Sequence, residues 1–321
     1  MKTITKLIYS TFAVISLAIG AVTANATLND LFASVNGDTQ NGGGFIYQYN
    51  PNGVQSTFAA GLSRPRGVAF DHFGNLFVVT NTFDSVSGTF QPSIVKITPD
   101  GIQSTIATIS GDFFGSGLAV DASGNIFIMA VDDTSPVGAS TIYKFTPDGV
   151  QSTVGSMPGQ GFGLAFDSGG NLFAADGLDH TIYKFTPDGT QSTFIGPSAF
   201  PDGGPVGLAF DRFGNLFTST EGDPGTHTIL KFTPDGDETT FATGLDFPRG
   251  LAFDRGGNLF VAELIQDGPG DILKFIPNGV GTVFASGIGR PEGNGGPEYL
   301  AVQLLPAPRP HPSPHPRPRQ L

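Results

Sequence analysis

The sequence predicts an all-β chain folded as a six-bladed β-propeller of four-stranded antiparallel blades, and three observations carry that expectation. One block recurs along the chain: the Leu or Ile after its turn stands at Leu31, Leu76, Ile126, Leu172, Leu216 and Leu259, a period of roughly 45 residues. The segments inside each period are short and rich in Phe, Val, Ile, Tyr and Thr, with apolar residues at every second position, as in Leu76-Phe77-Val78-Val79. Finally, the two ends of the chain carry complementary fragments of one repeat.

Each element follows in order. Strand a is the Gly-Leu-Ala-Phe run and strand b the Asn-Leu-Phe run after it. Together they span Gly67 to Phe77, Gly117 to Phe127, Gly163 to Phe173, Gly207 to Phe217 and Gly250 to Phe260. Between them, Asp71-His72-Phe73-Gly74-Asn75 places Gly where a tight hairpin needs positive φ. Strand c and its turn span Ile46 to Gly53, Ile94 to Gly101, Ile142 to Gly149, Ile182 to Gly189, Ile229 to Gly236 and Ile272 to Gly279. In Thr98-Pro99-Asp100-Gly101 the Pro pre-sets φ and the Gly accepts the left-handed position. Strand d is the Gln-Ser-Thr-Phe-like run. A lone four-stranded sheet buries neither face, whereas radial repetition buries both. Strands b, c and d occur six times, but the first set lacks a strand a. Pro297-Glu298-Tyr299-Leu300-Ala301-Val302 supplies it, so pairing of the C-terminal strand with the N-terminal blade is expected to close the ring. An open solenoid would need no such complementary ends.

Composition bounds the function. The 321 residues carry 16 Lys+Arg against 28 Asp+Glu, a net charge of -12, with no Cys or Trp. Such acidity argues against a nucleic-acid partner, because a phosphate backbone needs a basic face. The lack of Cys excludes disulfides, thiolate metal sites and Cys nucleophiles. Residues 1–26 read as an export signal: Lys2 and Lys6 precede an apolar stretch from Leu7 to Val22, and Ala24-Asn25-Ala26 fits signal-peptidase cleavage. The propeller then occupies 27–305, and 306–321 is a Pro-rich tail in which Pro alternates with Ala, Arg, His and Ser. The expected product is a secreted or periplasmic monomer with no integral membrane segment once the signal is removed.

The a–b and c–d turns should share one face, and the d–a and b–c connections the other. The repeated Asp of the turns reads as turn chemistry. The repeated Lys96, Lys144, Lys184, Lys231 and Lys274 read as a solvated stripe facing those Asp residues. The second face varies between blades, which is where a site is built. At its channel mouth stand Arg66, Ser116, Phe162, Val206, Arg249 and Glu298, one before each strand a. Ring closure brings Arg249, Glu298 and Arg66 into adjacent blades, a carboxylate flanked by two guanidiniums. That arc suits an anionic ligand through bidentate Arg contacts, or serves as an ion-pair network tying the closing blade to its neighbours. A second ring at the ends of strand b holds Asn81, Asp132, Asp176, Glu221 and Glu263. Its carboxylates are the candidate ligands for calcium, the one cofactor that the chain suggests; otherwise no cofactor is expected.

The run Gly-Leu-Ala-Phe-Asp-x-x-Gly-Asn-Leu-Phe, followed by Ile-Tyr-Lys-Phe-Thr-Pro-Asp-Gly, resembles the NHL-repeat β-propeller family, within the wider SMP-30/gluconolactonase-like group. The resemblance implies the fold over residues 27–305 and leaves activity open, since the group holds binding modules, hydrolases and lyases. Gluconolactonase-like members hold a channel metal with acidic and Asn ligands near the start of strand a. Here only Glu298 is acidic, and Arg66 and Arg249 would repel a cation. Lyases of this fold that inactivate streptogramins use a channel histidine. Of the histidines in the propeller, His72 falls in an a–b turn, while His180 and His227 fall on the b–c side. The leading expectation is an exported binding or scaffold module for a protein, carbohydrate or small anionic ligand. The alternative is a lactonase-like hydrolase or a lyase acting at the channel mouth.

Overall fold

The computed structural model describes residues 29–36, 43–222, 227–265, 268–289 and 296–304. The expected leader and the Pro-rich tail lie outside the described residues. Twenty-four strands form six four-stranded antiparallel sheets, each a blade. Blade 1 combines β1 (Leu31–Val35), β2 (Gly44–Tyr49) and β3 (Gln55–Leu62) with the last strand, β24 (Pro297–Val302). Blade 2 is β4 (Val68–Phe70), β5 (Leu76–Asp84), β6 (Thr89–Ile97) and β7 (Gln103–Thr108). Blade 3 is β8 (Phe113–Val120), β9 (Ile126–Asp132), β10 (Ser140–Phe145) and β11 (Gln151–Met157). Blade 4 is β12 (Gly161–Phe166), β13 (Leu172–Asp176), β14 (Thr181–Phe185) and β15 (Gln191–Ile195). Blade 5 is β16 (Gly203–Phe210), β17 (Leu216–Gly222), β18 (Thr228–Phe232) and β19 (Glu238–Thr243). Blade 6 is β20 (Pro248–Phe253), β21 (Leu259–Glu263), β22 (Gly270–Phe275) and β23 (Gly281–Ile288).

The ring closes as the sequence predicts. β24 pairs antiparallel with β1, with Phe32 opposite Ala301 and Ala33 opposite Leu300. The pairing continues past the strands, where the Gln303 amide donates to the Asp30 carbonyl at 3.0 Å. A bulge at Ser34/Val35 is held by Ser34, whose Oγ accepts from the Tyr299 amide at 3.1 Å.

The core is six clusters rather than one, each between two neighbouring blades. Phe32, Ile46, Val68, Val78 and Ile97 belong to the cluster joining blades 1 and 2, and the other five repeat the arrangement. The repeated Phe residues lock the wedges edge-to-face. Phe173 of blade 4 meets Phe210 of blade 5 with ring centroids 4.9 Å apart and Phe194 at 5.0 Å. Phe217 of blade 5 meets Phe253 of blade 6 and Phe241 in the same way. T-shaped pairs of this kind contribute about 0.5–1.5 kcal/mol each beyond their buried area.

Turn chemistry is repeated in every a–b hairpin with an Asp-x-x-Gly-Asn run. Asp71 Oδ1 accepts from the Phe73 and Asn75 amides and its Oδ2 from Asn75 Nδ2, with Gly74 at φ +83°. The repeated lysines differ from the sequence expectation. Each faces the strand-b Phe across the ladder, and Lys144, Lys184, Lys231 and Lys274 lie 5.2–5.7 Å from the ring centroids of Phe127, Phe173, Phe217 and Phe260. Cross-strand register sets this, because Lys and Phe are directly opposed on one face of the sheet.

At the axis the inner strands approach closely because five of them carry Gly. A Cβ on Gly117 would stand 2.1 Å from the Phe162 carbonyl oxygen, and one on Gly207 2.1 Å from that of Arg249. Gly117→Ala is therefore expected to force backbone apart and cost about 2–3 kcal/mol, read as a lower urea midpoint at unchanged slope.

Candidate functional site

The inner strands stack three rings of residues down the axis. The upper ring, on the face of the d–a and b–c connections, holds Arg66, Ser116, Phe162, Val206, Arg249 and Glu298. Beneath it Gly67, Gly117, Gly163, Gly207 and Gly250 leave no side chains, and the sixth position is Tyr299. Below these stand Val68, Leu118, Leu164, Leu208, Leu251 and Leu300. The free space left on the axis is about 40 Å³, lined by Gly163, Gly207, Gly250 and Tyr299. Tyr299 thus occupies the room that five glycines vacate. Burial raises its phenol pKa, against the nearby Arg66 guanidinium that lowers it.

The charged residues of the upper ring act in pairs across blade boundaries. Arg66 of blade 2 pairs with Glu298 of blade 1 at 2.9 Å, both side chains largely buried. Burial alone would lower the Arg66 pKa, but Glu298, Tyr299 and Glu221 together outweigh it and hold the guanidinium charged. Arg249 of blade 6 turns the other way, its Nη1 donating to Glu221 Oε2 of blade 5 at 2.8 Å. Arg249, Glu298 and Arg66 therefore do not form the expected carboxylate flanked by two guanidiniums. Side-chain reach decides this: Glu221, at the end of β17, offers Arg249 a carboxylate that the linear repeat does not reveal. The Nε atoms of both arginines are buried without a hydrogen-bond partner. Ser116 Oγ donates to the Gly161 carbonyl at 2.8 Å, another link between blades. Phe162 lies against Gly177, and Val206 is buried.

The second ring does not converge. Asn81 bridges to blade 3, with Nδ2 donating to the Gly115 carbonyl at 2.9 Å and Oδ1 accepting from its amide. Asp132 accepts from the Thr134 hydroxyl and amide, bonds that hold its carboxyl below the usual range. Asp176 is buried and accepts from the Gly159 and Asp179 amides at 2.9 Å. Glu263 accepts from the Asp246 amide. Burial raises the pKa of both Asp176 and Glu263. Among the described residues no three His, Asp or Glu side chains stand together as a metal-binding group. His180 Nδ1 bonds the Phe200 carbonyl at 2.9 Å. His227 is buried, with Nδ1 accepting from the Phe247 amide and Nε2 therefore donating to the Gly222 carbonyl.

Sequence reasoning missed two features. Tyr299 was legible as the one bulky residue at a Gly position of the repeat. The other is a chain of rings and guanidiniums on the same face. Arg64 lies 5.0 Å from the Phe90 centroid and 5.5 Å from that of Phe83. Phe90 packs edge-on against Phe114 at 5.2 Å, and Arg66 covers Phe114 at 5.1 Å. Phe83 and Phe90 are carried by the β5–β6 hairpin, whose strands have nine residues each where β13 and β14 have five, about 13 Å of additional strand. Asp112 fixes the hairpin by accepting from the Phe90 amide at 2.8 Å, and Phe83 and Val86 are exposed.

No family model matches the sequence, and no curated protein matches it. Solved structures match it in fold. TolB from Acinetobacter baumannii superposes with a TM-score of 0.63 at 12% identity, over 85% of this chain and 66% of TolB. The chain thus spans just under two thirds of that protein's length. A catalytically inactive histidine-to-alanine variant of virginiamycin B lyase from Staphylococcus aureus, with quinupristin, gives 0.57 at 17% identity, over 81% of this chain and 86% of the lyase. A gluconolactonase from Xanthomonas campestris gives 0.51 at 19% identity, over 71% and 78%. The neighbours are six-bladed β-propellers, and the likeness at these identities is one of fold.

Arg66→Ala should destabilise the protein by about 3 kcal/mol or more, because it leaves Glu298 buried without its partner. Removing Glu298 as well should cost little further, a non-additivity that a double-mutant cycle in urea measures. A carboxyl whose pKa is raised on folding stabilises the folded state in its protonated form. That contribution is full below the ordinary carboxylate range and is lost as pH climbs through the raised value. Glu263→Gln keeps the acceptor for Asp246 and mimics the protonated form. The variant should match the parent at acid pH and exceed it in stability near neutrality, as urea melts across pH will read.

Proposed function

We propose that the chain is an exported propeller of the NHL type that works as a binding module, meeting a ligand with anionic groups on its upper face. The carrying observation is the run from the Arg64 guanidinium through the rings of Phe83, Phe90 and Phe114, the first two rings standing on the long β5–β6 hairpin. Exposed Phe83 and half-buried Phe90 beside Arg64 offer stacking area and a guanidinium together, a combination common on recognition surfaces. The polar groups of the channel mouth support the same reading. Arg66, Arg249, Ser116 and Glu298 hold blades together, and the strand-b carboxylates serve backbone amides or Arg249, so the chemistry-bearing groups work as struts. Export rests on the basic, apolar and small-x-small order of residues 1–26, with the propeller following over 27–305. Among the described residues no helix is long and apolar enough to cross a membrane.

A lyase or lactonase at the mouth is the second reading, favoured by the half-buried Tyr299 phenol beside Arg66 and by fold neighbours that bear those activities in name. His180 and His227 give it little help, since both rings bind backbone carbonyls.

Thermal melts distinguish the two. Uronic-acid oligosaccharides and a poly-glutamate peptide are the probes, because a ligand bound at 100 times its Kd adds about 2.7 kcal/mol to stability. At least one probe should raise the melting temperature of the parent chain and leave an Arg64→Ala, Phe83→Ala variant unmoved. Hydrolysis of glucono-1,5-lactone above background, with or without calcium, would overturn the binding reading in favour of catalysis.

A further inference from the structure

An apolar hollow of about 730 Å³ lies on the lower face, between blades 5 and 6. Its walls are the rings of Phe210, Phe213, Phe217, Phe241 and Phe253, and its edge is Leu304. The groove between blades 3 and 4 is built from the same turns yet encloses about 450 Å³, with Ser152, Thr153 and Asp188 in its lining. Phe241 stands where blade 3 has Val154, and two further sites differ. Phe213 replaces the Ser123 of the blade 3 turn and is exposed, with Arg212 over its ring at 4.8 Å. Leu304, half exposed, has no counterpart in that groove.

Leu304 is also where the described chain stops. The residues that follow are Leu305-Pro306-Ala307-Pro308-Arg309-Pro310. Alternating prolines favour an extended polyproline helix, and grooves lined with aromatic rings are what such helices dock into, because the conformation costs little entropy to hold. We propose that the groove between blades 5 and 6 is the docking site of this chain's own segment Pro306–Pro310, a cis-acting cover for five phenylalanine rings. At about 3.1 Å per residue the five residues span roughly 16 Å, and Leu304 and Phe213 line the same hollow. Tethering makes the contact intramolecular, at an effective concentration in the millimolar range, so weak contacts suffice. Charge does not drive it, since the groove lining mixes Arg212, Lys231 and Arg255 with Asp211 and Asp254; ring-to-proline packing does.

The chain has no native Cys, so introduced pairs report cleanly. In the full chain, Ala307→Cys with Arg212→Cys should form an intramolecular disulfide under mild oxidation. Adding Phe213→Ser, an exposed change expected to leave the melting temperature in place, should slow that closure at least fivefold. The same change should not affect crosslinking between Ala307→Cys and Ser123→Cys. A rate for the first pair that ignores Phe213→Ser would mean that the tether alone brings the ends together, and the docking site falls. A mainly intermolecular product that vanishes on dilution would assign the groove to a second copy and overturn the proposal equally.

Discussion

The constraint on which this structure depends is the approach of six inner strands around one axis. Five glycines permit it, since any side chain there would meet the carbonyl or amide of the next blade, as Gly117 does against Phe162. With the strands that close, each pair of blades buries its own apolar cluster, and the stack of Phe rings between wedges follows. The sixth position breaks the pattern with Tyr299. Its side chain lines the small free space on the axis beside Gly163, Gly207 and Gly250.

This geometry governs what the polar residues do. A narrow, plugged axis leaves no wide channel in which carboxylates of several blades meet. The upper ring is instead a set of ties: Arg66 to Glu298, Arg249 to Glu221, Ser116 to Gly161. The ends of strand b tie the loops beside them, through Asn81 and Asp176. An acidic chain spends many of its carboxylates on backbone amides, in the turns as well as here. The surfaces proposed for recognition therefore lie away from the axis, at the long β5–β6 hairpin above and the ring-lined groove below.

Blade number, strand order, turn chemistry and ring closure were all legible in the linear sequence. A repeat near 45 residues, alternating apolar positions and a strand split between the ends are local patterns that each permit few folds. Tyr299 was equally legible, as the residue that stands where every other repeat has Gly. The hairpin was visible only as an unusually long connection after Thr82, and nothing in its residues showed that Phe83, Phe90 and Phe114 share one surface with two arginines.

By itself, then, the sequence determined the architecture, because backbone preference and apolar periodicity act over a few residues and repeat six times. Tertiary structure alone decided the partners. Arg249 chose Glu221 over Glu298, and the strand-c lysines chose aromatic rings over the turn aspartates. Such choices turn on distances between side chains brought together from separate strands or separate blades, and a one-dimensional pattern carries residue types and spacings without those distances.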